Sequence, residues 1–593
     1  MERLQRAIAR SVNAGDAGGW VVGSCVIAAL IVLPLIALAA IAARGSGDLW
    51  PHLVAYVLPR AFRDTLLLLA GVGVFVIVIG TGLAWLMTAY DFPGRRSLEW
   101  ALLLPLSVPT YIIAFAYLDV LHPVGPVQSG LRAMLGIANP RDLWFPEVRS
   151  LGGCILLFSF VLYPYVFLTT RAMFLMQAGS LIDVSRTLGA GRARVFFSVA
   201  VPLARPAIAA GTSLALMEAL NDFGACEFLG VQTLTVSIYA TWINRSNLPG
   251  AAQIAILMLV IVASLILMER WARQRQRFVS ATQRTHRATP QQLTGATAWL
   301  AVATASLPVL FGFLIPASYL ALQAGKRLRF AGIPADLIRE IVNTVAVAGI
   351  STAVALVFGL CLAYTARIGR TPLARGLLRS ASLGYAVPGT VLAIGLLTPL
   401  AALDGAISSV VERIFHISTG LIVSGSGLAL VYAYVARFLA VSASGIESGF
   451  QKLPASLDHA ARALGETAWG ALHRVHLPLI RPALGAAALL VFIDCMKELP
   501  ATLLLRPLNF ETLATHLYGE ASRGTYEDGA LAALCIVVFG LIPVILLARF
   551  SRRPTLARDT LATRAAQPAV AGLILGGEAR IEMPRARNPS VGP

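Results

Sequence analysis

Charged residues are scarce in this sequence. Only 13% of the 593 residues are Asp, Glu, Lys or Arg, 57% are hydrophobic, and the mean hydropathy is +0.74. Such a composition leaves too little polar surface for a soluble globular protein. The apolar runs are also much longer than the roughly ten-residue strands of a membrane barrel. The remaining class is a bundle of membrane helices.

Paired cysteines and nucleotide-binding loops are missing as well. The six cysteines lie singly within apolar runs, without C-x-x-C spacing, which argues against disulfides and zinc sites. No G-x-x-x-x-G-K-[ST] loop is present to hold a phosphate, so we expect the chain to bind no cofactor. We also expect no stable metal site. The sequence also contains no H-E-x-x-H motif and no recognisable pair of a serine and a base, so no catalytic pattern indicates an enzyme.

Long apolar runs dominate what is present. A spanning helix needs roughly 20 apolar residues, and about twelve runs have that length. They lie at 20–43, 64–90, 98–121, 151–177, 205–230, 251–269, 297–322, 341–366, 377–401, 419–446, 481–505 and 529–549. The sequence therefore predicts an all-α membrane protein with about twelve transmembrane helices.

The net charge of +18 is distributed around these runs rather than in one patch. The clusters RAIAR, GRRS, WARQRQR, RIGR and ARFSRR each lie just outside an apolar run, as Lys and Arg do at the cytoplasmic ends of spans. This pattern predicts that both termini are cytoplasmic. It favours contact with membrane lipid and argues against a nucleic-acid partner.

The sequence repeats itself. DVSRTLGAGRARVFFSVAVPLARP at Asp183–Pro206 returns as HAARALGETAWGALHRVHLPLIRP at His459–Pro482, offset by 276 residues. The repeated positions are Gly189, Pro202 and Pro206 in the first copy, and Gly465, Pro478 and Pro482 in the second. A segment beginning at Asp64 likewise resembles one beginning at Asn343. Two copies of a six-span unit indicate parallel repeats related by an axis along the membrane normal.

These repeats suggest five regions. They are an amino-terminal span and outer loop at 1–63, a first repeat core at 64–269, a cytoplasmic linker at 270–296, a second repeat at 297–550 and a basic cytoplasmic tail at 551–593 that we expect to be disordered.

The repeated stretch has the composition of a helix, a turn and a second helix. Gly189 or Gly465 should end the first helix at a positive φ, where glycine is favoured. Pro202 or Pro478 should end the second, because the residue before proline disfavours the α region. An amphipathic connector would not require the same glycine and proline spacing twice, so we predict two docking elements on the cytoplasmic surface.

At these residues the chain resembles the inner-membrane permeases of bacterial ATP-binding-cassette importers. Their Glu-Ala-Ala loop carries a Gly and a downstream Pro at this spacing and forms a coupling helix that docks on an ATPase subunit. The Glu of the family maps to Asp183, which keeps the carboxylate, and to His459, which does not. The resemblance implies two partner ATPase subunits that use ATP, and a soluble binding protein that delivers the cargo.

Within that family, four segments resemble the fused permeases of ferric iron importers. They are LPLSVPTYIIAFAYLDV, EALNDFGACEFLGVQTLTVSIYATW, KELPATLLLRPLNFETLATHLY and the region of Pro388. The resemblance therefore implies ferric iron as the cargo.

Two acidic pairs within the apolar runs suit that cargo. Glu218 with Asp222, and Asp494 with Glu498, are spaced i, i+4 and should each share one helix face. Ionisable groups at membrane depth indicate a translocation pathway, and a hard cation prefers oxygen ligands. Alternatively, the acids cap the helix breaks at NDFG and KELP, or Lys497 neutralises them.

Other functions remain open at this level. The same machine could carry thiamine, a polyamine or an oxyanion, although an oxyanion favours arginine or helix amino termini over acids. A secondary transporter also uses repeats and buried acids, but it would need no coupling loop.

Overall fold

The computed structural model describes residues 18–176, 189–274, 290–369, 371–417, 420–542 and 545. Residues up to Leu541 form one compact unit. A second unit, Ile542–Pro593, contains only residues 542 and 545 among those described. Within the described part of the chain nearly all regular structure is helical, which confirms the predicted class. The exception there is a short parallel pairing of β1, Tyr90–Asp91, with β2, Gln291–Gln292.

The helices fall into two successive sets. The first set is α1 Gly18–Ala43, α2 Leu49–Ala89, α3 Arg95–Ser107, α4 Thr110–Val120, α5 Pro126–Leu135, α6 Leu151–Met176, α7 Arg192–Asn221, α8 Gly224–Phe228, α9 Leu234–Ile243 and α10 Leu248–Gln274. The second set is α11 Gly295–Ala331, α12 Leu337–Gly369, α13 Pro372–Ala386, α14 Gly389–Phe415, α15 Leu428–Gln451, α16 Ser456–Ala463, α17 Ala468–Met496, α18 Pro500–Leu505, α19 Leu513–Arg523 and α20 at 526–542. Among the described residues, ten helices are long and apolar enough to span a membrane, or eleven if α3 and α4 form one bent span.

Both sets build the same core from three long helices. In the first, α2, α6 and α7 pack against one another, and in the second, α12, α15 and α17 do so. Gly80 of α2 lets α6 approach so closely that a Cβ there would lie 2.7 Å from the Cβ of Val166. The equivalent Gly359 of α12 would meet the Ser442 Oγ at 2.3 Å. Small residues at such contacts allow membrane helices to pack backbone to backbone.

The first helix of each set packs against the other set. Tyr432 of α15 donates its hydroxyl to the Leu30 carbonyl of α1 at 2.7 Å, and Tyr117 of α4 donates to the Phe311 carbonyl of α11 at 2.6 Å. Leu30 lies four residues before Pro34, which has no N–H to donate back to it. The Tyr432 hydroxyl therefore joins the two repeats through a carbonyl that a proline leaves free.

Prolines do not end the helices of the repeated stretch, contrary to the prediction for Pro202 and Pro478. α7 and α17 each continue through both prolines, because a wider π turn comes just before the first. The four π turns among the described residues are Leu53–Val57, Phe196–Ala200, Leu310–Leu314 and Leu472–His476, and in each case a proline follows two residues later. The wider turn accommodates the ring and the missing N–H without breaking the helix.

Four of the predicted spans contain a break between two helices. Two of these breaks lie between α7 and α8, in the run at 205–230, and between α17 and α18, in the run at 481–505. The run at 98–121 bends by 91° between α3 and α4, and the run at 377–401 breaks between α13 and α14. Val108 and Val387 are extended because each precedes a proline. Pro109 and Pro388 then begin the next helix with nearly identical dihedral angles, at φ −56° in both. The aligned prolines therefore mark one conserved bend in both repeats.

A threonine secures the amino terminus of the short helix α9 or α19 in each repeat. The Leu234 N–H donates to Thr65 Oγ1 at 3.0 Å, and the Leu513 N–H donates to Thr344 Oγ1 at 2.9 Å. We expect Thr65→Val and Thr344→Val each to lower the unfolding free energy by about 1–3 kcal/mol, because a buried N–H is left without an acceptor.

Equilibrium unfolding of the detergent-solubilised chain measures this loss. Thr88→Val is the matched control, since Thr88 Oγ1 bonds only the Ala84 carbonyl of its own helix among the described residues. An equal loss in all three variants would contradict the assigned role.

Candidate functional site

All four predicted acids line one cavity of about 110 Å³ between the two repeats. The first repeat contributes residues from the bend before α4, from α6 and from the break between α7 and α8. The second contributes Tyr385, residues of α15 and the break between α17 and α18. Glu218 and Asp494 occupy equivalent positions, as do Asp222 and Glu498. The tertiary structure thus brings together residues that are 276 positions apart in sequence.

The members of each acidic pair do not share a helix face, contrary to the i, i+4 prediction. Helix α7 ends at Asn221, so Asp222 lies just beyond it, and α17 ends at Met496, so Glu498 also lies beyond its helix. The breaks at NDFG and KELP turn these second carboxylates toward the following short helix. Both pairs still line the same cavity.

Asp222 acts as a helix cap. Its Oδ1 accepts the Ala225 N–H of α8 at 2.8 Å, and its Oδ2 accepts the hydroxyl of Thr110, the first residue of α4. A carboxylate at a helix amino terminus satisfies an otherwise free N–H and interacts favourably with the helix dipole. Asp222 therefore ties the α7–α8 break to the bend before α4.

Glu498 caps the equivalent helix α18 but has a different partner. Its carboxylate accepts the N–H groups of Ala501 and Thr502, both at 3.1 Å, and forms an ion pair with Arg437 Nη1 at 2.8 Å. The two charged side chains are 2% and 11% exposed, respectively. Gly389 makes room for this pair, because a Cβ there would lie 2.1 Å from Arg437 Nη1.

The sequence analysis did not predict Arg437 as a residue of this site, although the sequence contains a signal that could have identified it. It is the one charged residue within the apolar run at 419–446. An intramembrane charge of that kind indicates a buried partner or a pathway. The partner is 61 residues away in sequence, so only the folded chain identifies it.

Glu218 and Asp494 are the less constrained acids. Asp494 Oδ1 pairs with Lys497 Nζ at 2.9 Å, and both side chains are about one quarter exposed, at 25% and 26%. The side chain of Glu218 makes no hydrogen bond or ion pair with any described residue. With Arg437 and Lys497 counted against the four acids, the cavity has a formal charge of −2, and it therefore attracts cations.

The repeated stretch forms the predicted helix, turn and helix in the second copy. Helix α16 ends in a Schellman motif, in which the Glu466 N–H bonds the Ala461 carbonyl and the Gly465 N–H bonds the Arg462 carbonyl, both at 3.0 Å. Gly465 has a φ of +81°, as the sequence predicts. We call residues 456–471 the second docking hairpin. Its exposed surface includes His459, Leu464 and Trp469.

The glycine of the first copy has the same left-handed conformation. Gly189 has a φ of +82°, and α7 begins three residues later at Arg192. Asp183 lies outside the described residues. Pro206 and Pro482 lie inside α7 and α17, respectively.

Asp458, next to His459, faces the bundle rather than the exposed surface. Its carboxylate pairs with Arg367 of α12 at 3.1 Å and with His476 Nε2 of α17 at 2.7 Å. Arg367 also donates to the Phe450 carbonyl at 2.6 Å. The second docking hairpin is therefore joined to three long helices by one ionic network.

That network is expected to couple the hairpin to the helices. We predict that Asp458→Asn lowers the unfolding free energy by about 2–3 kcal/mol, since Arg367 loses a largely buried counter-ion. The resemblance to importer permeases implies that an ATPase subunit docks on this hairpin. The amount of cargo imported per ATP hydrolysed should therefore fall as well, because motion of a loosened hairpin would be transmitted less completely to α12 and α17.

Unfolding in detergent and parallel uptake and ATPase assays on the reconstituted complex test this prediction. His459→Asn, at the neighbouring exposed position, should leave the stability unchanged. A normal uptake-to-ATP ratio in Asp458→Asn would show that the network only stabilises the fold.

Comparison with known proteins gives the same match for both repeats. Residues 76–278 and residues 355–555 each match the family described as "Binding-protein-dependent transport system inner membrane component". The two matched segments correspond to most of the described helices of the two repeats.

Similar proteins differ in the cargo that their names state. The Fe(3+)-transport system permease protein FbpB 2 of Haemophilus influenzae is 25% identical over 502 residues, which cover 82% of this chain and 89% of that protein. The molybdenum transport system permease protein ModB of Escherichia coli is 30% identical over 206 residues, 33% of this chain and 85% of that protein. The sulfate transport system permease protein CysT of Salmonella typhimurium is 26% identical over 246 residues, 40% of this chain and 84% of that protein. The similar proteins thus include one named for a cation, Fe(3+), and one named for an oxyanion, sulfate.

Proposed function

Because this chain belongs to the family of binding-protein-dependent transport system inner membrane components, we propose that it conducts ferric iron through an ATP-driven importer. The family and the apolar helices make it a multi-pass inner-membrane permease and not an enzyme. The cargo is our proposal, and it rests on the chemistry of the cavity between the repeats.

One observation supports a cationic cargo above all. The cavity holds four carboxylates against two cationic side chains. Both cations are already paired, Arg437 with Glu498 at 2.8 Å and Lys497 with Asp494 at 2.9 Å. Ferric iron is a small hard cation and prefers carboxylate oxygen. A transit site must also release its ion, and acids held apart by capping and pairing suit weak binding.

An oxyanion is disfavoured by the same geometry. Anions commonly bind at helix amino termini, and α8 and α18 begin at this cavity. However, the carboxylates of Asp222 and Glu498 already accept the N–H groups of those first turns. An incoming anion would meet two carboxylates instead of free donors.

An organic cation such as thiamine or a polyamine is the second candidate. Three tyrosines, Tyr111, Tyr165 and Tyr385, line the cavity, and aromatic faces attract organic cations. This candidate shares the cavity charge with ferric iron but differs in needing an aromatic surface.

The partners follow from the docking elements. We propose that two ATPase subunits bind, one at each glycine-centred hairpin, and that they supply the ATP hydrolysis. A soluble binding protein delivers the cargo to the opposite face, and both termini lie in the cytoplasm. A secondary transporter would need no such hairpins.

Uptake by the reconstituted complex tests the cargo. Proteoliposomes containing this chain, its ATPase and its binding protein are supplied with radioactive ferric iron, with thiamine, putrescine, molybdate or sulfate as competitors. Ferric iron should accumulate only with ATP, and the other solutes should not compete. Accumulation of thiamine or putrescine in its place would assign the organic cation, and accumulation of molybdate or sulfate would exclude a cationic cargo.

A further inference from the structure

The two repeats are not chemically equivalent at the cavity. Lys497 of the second repeat corresponds to Asn221 of the first, and Arg437 corresponds to Val161. Both cations of the cavity therefore come from one repeat, while the acids come equally from both. Although two copies of one unit form the cavity, its positively charged side chains belong only to the second repeat.

The two cations differ in how firmly they are held. Arg437 is 11% exposed, and its partner Glu498 is fixed by backbone bonds to the first turn of α18. Lys497 is 26% exposed and has a flexible four-carbon stem, and Asp494 is its ion-pair partner among the described residues. Lys497 is thus the cation that is free to move.

Asn221 provides a second, independent sign of a missing ligand. It lines the cavity and is 6% exposed, and its Oδ1 has no hydrogen-bond partner within the described part of the chain. A buried amide oxygen without a partner is unfavourable by about 1–3 kcal/mol. The oxygen is suited to a cation or a donor that enters the cavity beside Glu218.

We propose that Lys497 is a tethered counter-ion, whose ammonium occupies the cargo position when the cavity is empty. The position lies among Glu218 of the first repeat, Asp494 of the second and the Asn221 carbonyl. A cationic cargo displaces the ammonium from Asp494, and the ammonium returns as the cargo leaves. This inference rests on the proposed cationic cargo and names the residues that meet it.

The tethered ammonium explains how an acidic cavity avoids trapping its cargo. No three Asp, Glu, His or Cys side chains converge to hold a metal ion among the described residues. The carboxylates are therefore not arranged as a resident metal site, and an internal competitor weakens binding further. Both features favour release over retention.

Binding of terbium to the purified full-length chain in detergent tests the proposal. Terbium is a hard trivalent cation, and its luminescence can be excited through the tyrosines that line the cavity. Lys497→Asn, which places the first-repeat residue in the second, should bind terbium about tenfold more tightly, because a competing charge a few ångströms away is removed. Lys497→Gln should behave in the same way and serves as the second variant if Lys497→Asn folds poorly.

Three variants make the result specific. Lys497→Arg keeps the charge and should bind no more tightly than the wild type. Lys326→Asn removes a charge from the exposed face of α11 and should have no effect. Adding Glu218→Gln to Lys497→Asn should abolish the gain in terbium affinity. Equal terbium affinity in wild type, Lys497→Asn and Lys497→Gln, or a gain that survives Glu218→Gln, would overturn the proposal.

Iron uptake by the complete complex separates this proposal from that of the cargo. Lys497→Asn should lower both KM and the maximal rate, since tighter binding slows release. If the wild-type complex imports no iron while terbium binding changes as described, ferric iron is the wrong cargo and the role of Lys497 stands. If the wild type imports iron and terbium binding is unchanged in the variants, Lys497 is not a counter-ion.

Discussion

Replacing Gly465 by valine is expected to lower ATP-driven uptake at least about tenfold while the helical bundle stays folded. The glycine has a φ of +81°, and a left-handed conformation costs an L-residue roughly 1–2 kcal/mol, more when it is β-branched. A Cβ at this position would meet no heavy atom within 4 Å. The loss therefore comes from the conformation of the turn and not from a clash.

The Gly465→Val substitution should affect only the coupling between ATP hydrolysis and cargo uptake. Without the Schellman motif at residues 461–466, the direction of α16 relative to α17 should change, and the exposed hairpin surface should no longer match the ATPase subunit that we propose binds there. The equivalent Gly189, at φ +82°, should behave in the same way. Uptake and cargo-stimulated ATPase activity of the reconstituted complex measure the effect.

Two substitutions distinguish backbone conformation from other causes. Gly465→Asn should retain much more uptake than Gly465→Val, because asparagine tolerates the left-handed region. Gly485→Val introduces the same side chain on the exposed face of α17, where a Cβ also meets no atom within 4 Å, and should be harmless. Normal uptake in Gly465→Val would refute docking through this turn.

Arg437→Met is expected to destabilise the chain by about 3–5 kcal/mol, because it leaves the buried Glu498 carboxylate without its counter-ion. Unpaired charges are most costly where water is excluded, and the Glu498 side chain is 2% exposed. Equilibrium unfolding in detergent gives the free-energy change directly.

A rescue and a control make this result interpretable. Adding Glu498→Gln to Arg437→Met removes the stranded charge and should recover much of the lost stability. Arg339→Met breaks the exposed pair with Asp336, whose side chains are 63% and 68% exposed, and should change stability by no more than about 1 kcal/mol. If Arg437→Met is as mild as Arg339→Met, the ion pair does not hold α15 to the α17–α18 break.

Local sequence patterns predicted the backbone conformation reliably where that conformation depends on one residue and its immediate neighbours. A glycine six residues after Asp183 or His459 predicts a left-handed turn, because few other residues adopt a positive φ readily. A proline at 109 or 388 predicts extended backbone just before it. The positive φ of Gly189 and Gly465 was predicted and is confirmed. Around Pro109 and Pro388 the apolar runs predicted continuous spans, and only the structure shows the bends.

Helix ends at the cavity were harder to predict than the acids themselves. Glu218 and Asp222 are four residues apart, which suggests one helix face, yet the helix ends between them. Pro202 should end a helix by its own stereochemistry, yet the preceding π turn absorbs it. The spacing of the two acids does not encode the helix end between them, and the stereochemistry of proline alone does not reveal the π turn that precedes it.

The sequence alone was enough to establish that this chain is a two-repeat helical membrane protein with two matching turns. The signals for this were its hydropathy, its internal repeat and the spacing of its glycines and prolines. Those properties depend on residues that are close together in sequence, or on the sequence similarity between the two copies. The tertiary structure alone decided that four acids share one cavity and that Arg437 pairs there with Glu498, 61 residues away. It alone also decided that Asp458 faces inward to Arg367, 91 residues away. A side chain's partner across such a distance depends on how the helices pack, which no local pattern specifies.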